Sequence, residues 1–447
     1  MVGNAIGDFV FPIYFRSAIY YYIIKRQMEI FMNIDATLTT KQNTYDALFA
    51  LLRSTLWGEE RYPLDTIKDS LVDWDMICKE MSWHAIRILP TDLLCRVDLA
   101  HQQKYMMHAS FSMSAWYAVM EGQKELCKLL QEAKIPFVIL KGAASARYYP
   151  KPAYRQMGDI DFLVPPQYFE QAHLLMLKDG YKQLDEGTPR HLEFKKNSAL
   201  FELHRVFAKY NDSETEAFLD DLIFDAFDRL ETATVEGYSF PVLPPLESGL
   251  VLLQHINQHL EEGLGLRQIL DWALYVDKVL DDGTWEQEFA PIVRRLGLEK
   301  LAIAVTHMCQ LYLGLRPEIT WCKDADKKAC HDLMDYIMEQ GNFGRKGDTD
   351  SHKTVKTVSA MQNIPAFFKR LQELGMMRWP AVHKHPRLKP VLAPFAWIWQ
   401  LFRYIHLGLK REHPFKSLMQ DIKKSRSKDT LMETLGVYQF KKETTAP

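Results

Sequence analysis

The tightest constraint on what this chain can fold into is a run of seven residues, Gly158-Asp159-Ile160-Asp161-Phe162-Leu163-Val164, halted by Pro165-Pro166. β-Branched and aromatic residues in so short a run, closed by prolines, predict a buried strand. Residues two apart on a strand share a face, so Asp159 and Asp161 present their carboxylates side by side while Ile160 and Phe162 pack behind. Two like charges so placed repel, and a divalent cation is the usual remedy. Magnesium takes oxygen ligands and keeps positions for water and phosphate oxygens, so this pair suits a magnesium-bound triphosphate. On the same logic, Asp→Asn at either position relieves repulsion and raises the melting temperature of the metal-free protein.

The flanking sequence places the strand in a layer of mixed α/β (α+β) character. Phe137–Leu140 reads as a buried strand ended by Gly142, Ala143–Tyr149 as a short helix, and Gln167–Lys178 as a helix capped by Asp179-Gly180. His191–Lys195 and Ser198–Phe207 read as two more strands. Apolar spacing predicts helices in Tyr45–Trp57 and Tyr105–Leu130 before this layer, and in Leu246–Leu260, Gly265–Leu280 and Ile292–Leu315 after it. The 447 residues exceed one compact core. The expected organisation is a leader over 1–40, a helical region over 41–135, a small mixed-sheet core over 136–245, a helical region over 246–375 and a tail over 376–447.

A two-metal site asks for a third carboxylate, and Glu202 in Leu200-Phe201-Glu202-Leu203-His204 supplies it, with His204 on the same face. Glu202 is then also the candidate base toward an attacking hydroxyl. Phosphates further need cations and backbone donors. Lys141-Gly142-Ala143 joins a strand to a helix start, where the glycine admits close backbone approach. Arg155, in the loop that delivers Gly158 and Asp159, is read as a second mobile cation beside Lys141.

The segment LKGAASARYYPKPAYRQMGDIDFLV, followed by FELHRVF, resembles an uncharacterised bacterial nucleotidyltransferase family of the DNA polymerase beta-like nucleotidyltransferase superfamily. Looser likeness runs through Leu56–Gly58, His255–Asp271 and Gly341-Asn342-Phe343-Gly344. The resemblance implies two magnesium ions on Asp159, Asp161 and Glu202, with Lys141, Gly142, Ala143, Arg155, Gly158 and His204 around the nucleotide. It implies transfer of a nucleoside monophosphate from a nucleoside triphosphate such as ATP to an acceptor. A nucleotide sensor or assembly partner that keeps the fold is the alternative. Two departures stand out: Gly142-Ala143 replaces the usual Gly-Ser or Gly-Gly turn, and the third acid is Glu202 where Asp is common.

The rest of the chain is read more plainly. A net charge of −2 gives no argument for nucleic acid as a partner of the whole molecule. Six dispersed cysteines without a CxxC pair predict inert thiols in a reducing cytoplasm. His255 and His259 share a helix face, read as a packed or cleft-facing polar stripe, and Arg267 and Asp271 as an intrahelical ion pair or a substrate-facing arginine. His352, His383 and His385 are read as surface histidines. Val382–Pro447 carries 13 Lys/Arg against 5 Asp/Glu, a balance of +8, around the aromatic segment Pro394–Lys410. That segment is expected to be a core-facing helix or a peripheral membrane-surface contact. Residues 1–27 are read as translated upstream sequence or a membrane-surface helix.

Overall fold

The computed structural model describes residues 39–64, 67, 71–184, 191–207, 213–346, 372, 375, 376, 379, 389–409 and 426–437. The readings of residues 1–27, His352, His383 and His385 lie outside them. The chain divides into two compact units, Met1–Lys79 with Pro90–Met106, and Glu80–Leu89 with Met107–Pro447. The helices before the sheet are α1 (39–57), α2 (Trp74–Trp83), α3 (Thr91–Val97) and α4 (Gln102–Glu132). In the first unit the i, i+1, i+4, i+5 stripe of α1 works as its spacing predicts: Ala47, Leu48, Leu51 and Leu52 are all buried.

The second unit holds a seven-stranded mixed sheet of order β3-β4-β5-β2-β1-β7-β6. Its strands are β1 (Val138–Ile139), β2 (Ile160–Leu163), β3 (Lys182–Gln183), β4 (His191–Lys196), β5 (Ala199–His204), β6 (Glu231–Val235) and β7 (Tyr238–Val242). The Asp-x-Asp strand lies in the middle, antiparallel to β1 and parallel to β5. Ile160, Phe162, Phe194, Phe201 and Leu203 build one core with Trp116, Met120, Leu126 and Leu130 of α4 and with Phe169, Ala172 and Met176 of α6 (Phe169–Lys178). Apolar residues that alternate along each strand thus turn one face inward and leave the acids on the other.

The helices α5 (Ala143–Ala146) and α7 (Ser213–Asp225) connect strands. After β7 follow α8 (Pro245–Glu262), α9 (Leu266–Lys278), α10 (Asp282–Thr284), α11 (Ala290–Arg295), α12 (Glu299–Leu313), α13 (Lys327–Gln340) and, in the tail, α14 (Ala396–Leu409). From Leu266 to Val276 every residue of α9 is buried. Trp272 anchors it, its indole N–H donating to Thr306 Oγ1 at 2.8 Å.

Several elements depart from expectation. Residues 147–149 leave the expected short helix for turns. The second strand begins at Ile160, because pairing with β5 starts at Ile160↔Phe201; Asp159 is the last residue of the extended approach. The hairpin β6–β7 and helix α13 were not anticipated. The hairpin had a legible signal, alternating Ala233/Val235 and Phe240/Val242 about Glu236-Gly237, both of which take positive φ (49° and 80°). In the tail, Ala396 and Gln400 are buried and Trp399 stacks on Trp379 at 6.1 Å, while Phe395 and Phe402 are exposed. Among the described residues no helix is long and apolar enough to cross a membrane.

Candidate active site

Parallel pairing of β2 with β5 sets Asp161 directly against Glu202. With Asp159 just before the strand, one carboxylate oxygen from each of Asp159, Asp161 and Glu202 lies within 4.8 Å of the others. The chain thus brings together the three acids expected from the sequence. Their spacing and all-oxygen chemistry fit a divalent cation.

Positive groups already stand against the trio. Lys141 Nζ lies 2.9 Å from Asp161 Oδ1. His204 Nε2 lies 3.2 Å from Asp161 Oδ1 and 3.3 Å from Glu202 Oε2. Burial alone would raise the Asp161 carboxyl, but Lys141 and His204 outweigh it and hold it well below the usual carboxylate range. Burial would lower His204 and Lys141; the carboxylates outweigh it and raise both. Glu202 behaves oppositely: burial, with Asp161 and Asp159 nearby, pushes it up to about 8 although His204 opposes the shift. The repulsion inferred from the sequence is therefore already answered at Asp161. Replacing that residue removes two ion pairs, so the expected rise in melting temperature is withdrawn for Asp161→Asn.

The turn before α5 requires its glycine. Gly142 sits at φ 71°, ψ −115°, and a Cβ there would lie 3.8 Å from Met157 Sδ and 3.9 Å from the Asp159 carbonyl oxygen. Space is available, but the positive φ is what a branched residue resists. The Ala143 methyl is wholly buried in the core, so only its backbone could face a ligand.

Arg155 is not a mobile cation. Its guanidinium is buried and forked onto Asp271, Nη2 to Oδ2 at 2.8 Å and Nε to Oδ1 at 2.9 Å. The Tyr149 hydroxyl donates to the same Oδ1 at 2.8 Å. Arg155 therefore ties the loop before Asp159 to α9, and burial of both partners explains why it is not available to a phosphate. The intrahelical Arg267–Asp271 pair is likewise not formed: Asp271 is turned to Arg155. Arg267 instead donates from Nη1 to the Gln156 carbonyl at 3.2 Å. A Cβ on Gly158 would lie 3.5 Å from that same Nη1, so Arg267 borders the residue before Asp159. Burial, then the neighbouring Arg155, lower the Arg267 guanidinium despite Asp271 and Asp159.

His84, which sequence reasoning missed, sets the start of α9. Its Nδ1 accepts from the Leu266 N–H and its carbonyl from the Arg267 N–H, each at 3.3 Å. The paired histidines of α8 lie with ring centroids 4.3 Å apart. Burial, then Lys141, lower His255 well below and His259 to about 3, with Arg267 acting in the same direction. The charge of Lys141 thus reaches the stripe. Phe343, exposed and at φ 54°, packs edge-on to His259 at 4.7 Å. The loop that carries it lies against Gly263 and Gly265, where a Cβ would strike Gly344 N at 2.1 Å and Asn342 Cβ at 2.7 Å. All six cysteines are free, five of them buried, as their dispersal predicts.

A family model described as uncharacterised nucleotidyltransferase matches residues 70–314, more than half of the 447. The chain belongs to that nucleotidyltransferase family. Solved structures that are similar include an antigenic nucleotidyltransferase-like protein from Paracoccidioides brasiliensis. It shares 14% identity over 47% of this chain and 96% of that one, at a TM-score of 0.28. A tRNA-processing enzyme in an apo form shares 13% identity over 74% of this chain and 92% of that one, at a TM-score of 0.21. No curated protein matches the chain. Membership in the nucleotidyltransferase family rests on the very stretch that contains Lys141, Gly142, Asp159, Asp161, Glu202 and His204.

Proposed function

We propose that the protein is a magnesium-dependent nucleotidyltransferase of the polymerase beta-like type. It would move a nucleoside monophosphate from a nucleoside triphosphate to the hydroxyl, amine or phosphate of an acceptor. The observation that carries this reading is the convergence of Asp159, Asp161 and Glu202 within 4.8 Å in a chain of this family. Magnesium on those carboxylates, in one or two positions, would supply the charge that neutralises the triphosphate and the departing pyrophosphate.

The chain's own groups have distinct tasks on this reading. Asp159 and Asp161 would hold the cation, with Glu202 of the adjacent strand. Glu202 also accepts the proton of the acceptor group. Lys141, whose ammonium stands on Asp161, would also be in place to contact a phosphate of the bound triphosphate. The Gly142-Ala143 turn offers its backbone to the same phosphates. Arg155 acts by positioning, through Asp271. Asp271 pairs with Arg155, and Arg267, held on the Gln156 carbonyl beside Gly158, is the guanidinium placed to meet a phosphate. His204 bridges two of the acids and keeps them at a common distance. We place the reaction in the cytoplasm. The exposed aromatics of the +8 tail would contact a membrane surface peripherally, and no specific nucleic-acid contact is invoked.

The test is calorimetry of magnesium with a non-hydrolysable triphosphate on the wild type and on Asp159→Asn, followed by pyrophosphate release in the presence of cell-extract acceptors. Magnesium-dependent binding that the substitution abolishes is the expected result. Equal affinity in both proteins would remove the carboxylates from the site. Binding without pyrophosphate release under any acceptor would leave a nucleotide sensor instead.

A further inference from the structure

The hairpin that carries Glu202 also carries a second set of metal-binding side chains. Its two-residue turn, Asn197-Ser198 with Asn197 at φ 54°, fixes the register of β4 against β5 as His191↔His204 and Glu193↔Glu202. Directly opposed residues share a face, as do residues two apart on a strand. His191, Glu193, Glu202 and His204 therefore project together from one side of the hairpin. The two imidazole rings lie 5.2 Å apart, centroid to centroid. One donor atom from each of His191, Glu202 and His204 lies within 4.8 Å of the other two.

A further observation points to a ligand. His204 is buried and turns its Nε2 toward Asp161 and Glu202, so Nε2 is the ring nitrogen it offers to this cluster. In addition, His191 Nε2 lies 3.5 Å from Glu193 Oε1. A carboxylate on one imidazole nitrogen is the arrangement that orients a histidine whose other nitrogen holds a metal.

We propose that His191, Glu202 and His204 form a second cation position, sharing Glu202 with the all-oxygen trio, that takes a zinc- or cobalt-class divalent ion in preference to magnesium. The donor chemistry separates the two positions. Two imidazoles and one carboxylate suit a borderline transition ion and leave a coordination position open for water or substrate. Magnesium is held by oxygens and dehydrates reluctantly, so it belongs with Asp159, Asp161 and Glu202. The inference rests on the proposed function only through Glu202.

Cobalt(II), titrated into chelator-treated full-length protein and followed by its visible absorption, tests it. Wild type should bind cobalt with magnesium already present in excess. Glu193→Gln, which keeps size and polarity, should weaken cobalt about 10–100-fold, and His191→Ala by at least as much. Asp159→Asn should leave cobalt binding in place. Wild-type cobalt affinity in both Glu193→Gln and His191→Ala overturns the proposal. So does loss of cobalt in Asp159→Asn, displacement by magnesium, or thiolate charge-transfer absorption that puts the ion on a cysteine. The two readings fail separately: cobalt binding with no magnesium-dependent triphosphate binding would sink the nucleotidyltransferase function alone, and the reverse would sink the imidazole site alone.

Discussion

Asp271→Asn should damage both stability and the nucleotide site, although Asp271 touches neither metal nor substrate in the reading above. The carboxylate is buried and accepts three bonds of 2.8–2.9 Å, two from Arg155 and one from Tyr149. Asparagine keeps the volume but puts an N–H₂ where an acceptor was, and leaves a buried guanidinium uncompensated. Breaking such a pair from one side typically costs about 3–5 kcal/mol. Arg267 lies close enough to Arg155 to lower its own guanidinium, which pushes the cost toward the upper end. At about 2 °C per kcal/mol for a large domain, the melting temperature should fall roughly 6–10 °C. Because Arg155 lies four residues before Asp159, magnesium-dependent triphosphate affinity should fall as well. The assay is thermal and urea unfolding of Asp271→Asn, Arg155→Met and the double variant Arg155→Met/Asp271→Leu. An apolar pair of similar volume removes both charges, so the double variant should recover most of the stability lost by either single one, yet still bind nucleotide poorly. A loss under about 1 kcal/mol in Asp271→Asn, or a double variant no better than the sum of the singles, would refute the reasoning.

Three further outcomes follow. Glu202→Gln should keep much of the magnesium-dependent triphosphate affinity and lose about 10²–10⁴-fold in rate, measured as pyrophosphate release; wild-type turnover would exclude Glu202 as base. Gly142→Val should lose nucleotide binding through strain at φ 71°, and unchanged calorimetric affinity would confine the glycine to a packing role. Acid should destabilise the fold through its depressed histidines. With its folded pKa near 3 against an ordinary 6.5, His259 contributes stability that is complete above pH 6.5 and is lost as pH falls toward 3. His255 and His84, lowered by burial, act in the same direction. Replacing His259 by Gln should flatten the pH dependence of urea stability below 6.5 by about 1.4 kcal/mol per unit; parallel curves would contradict that assignment.

What the sequence alone determined is what local periodicity and chemistry can determine. The alternation in Gly158–Val164 put Asp159 and Asp161 on one side because side chains on a strand alternate, and Ile160 and Phe162 are too apolar to face water. The stripe in α1, the Lys141-Gly142 turn and the candidacy of Glu202 were legible for the same reason. The register of His191 on His204 was not legible: strands over His191–Lys195 and Ser198–Phe207 leave Lys196-Asn197 as the turn, whereas the observed turn is Asn197-Ser198.

Tertiary structure decided the rest. That Glu202 lies opposite Asp161 depends on a parallel pairing between segments about forty residues apart, which no local pattern encodes. Asp271 is the sharpest case. In the sequence its partner is Arg267, one helical turn away, and an exposed helix would have paired them. The fold buries that helix face, and a buried carboxylate goes to the donor that offers the best geometry, which is the planar fork of Arg155, 116 residues earlier. The same burial turned Arg155 from a mobile cation into an anchor and left Arg267 beside Asp159. Sequence spacing reports which groups are neighbours on an element, but desolvation at a packed interface chooses which of them must be paired.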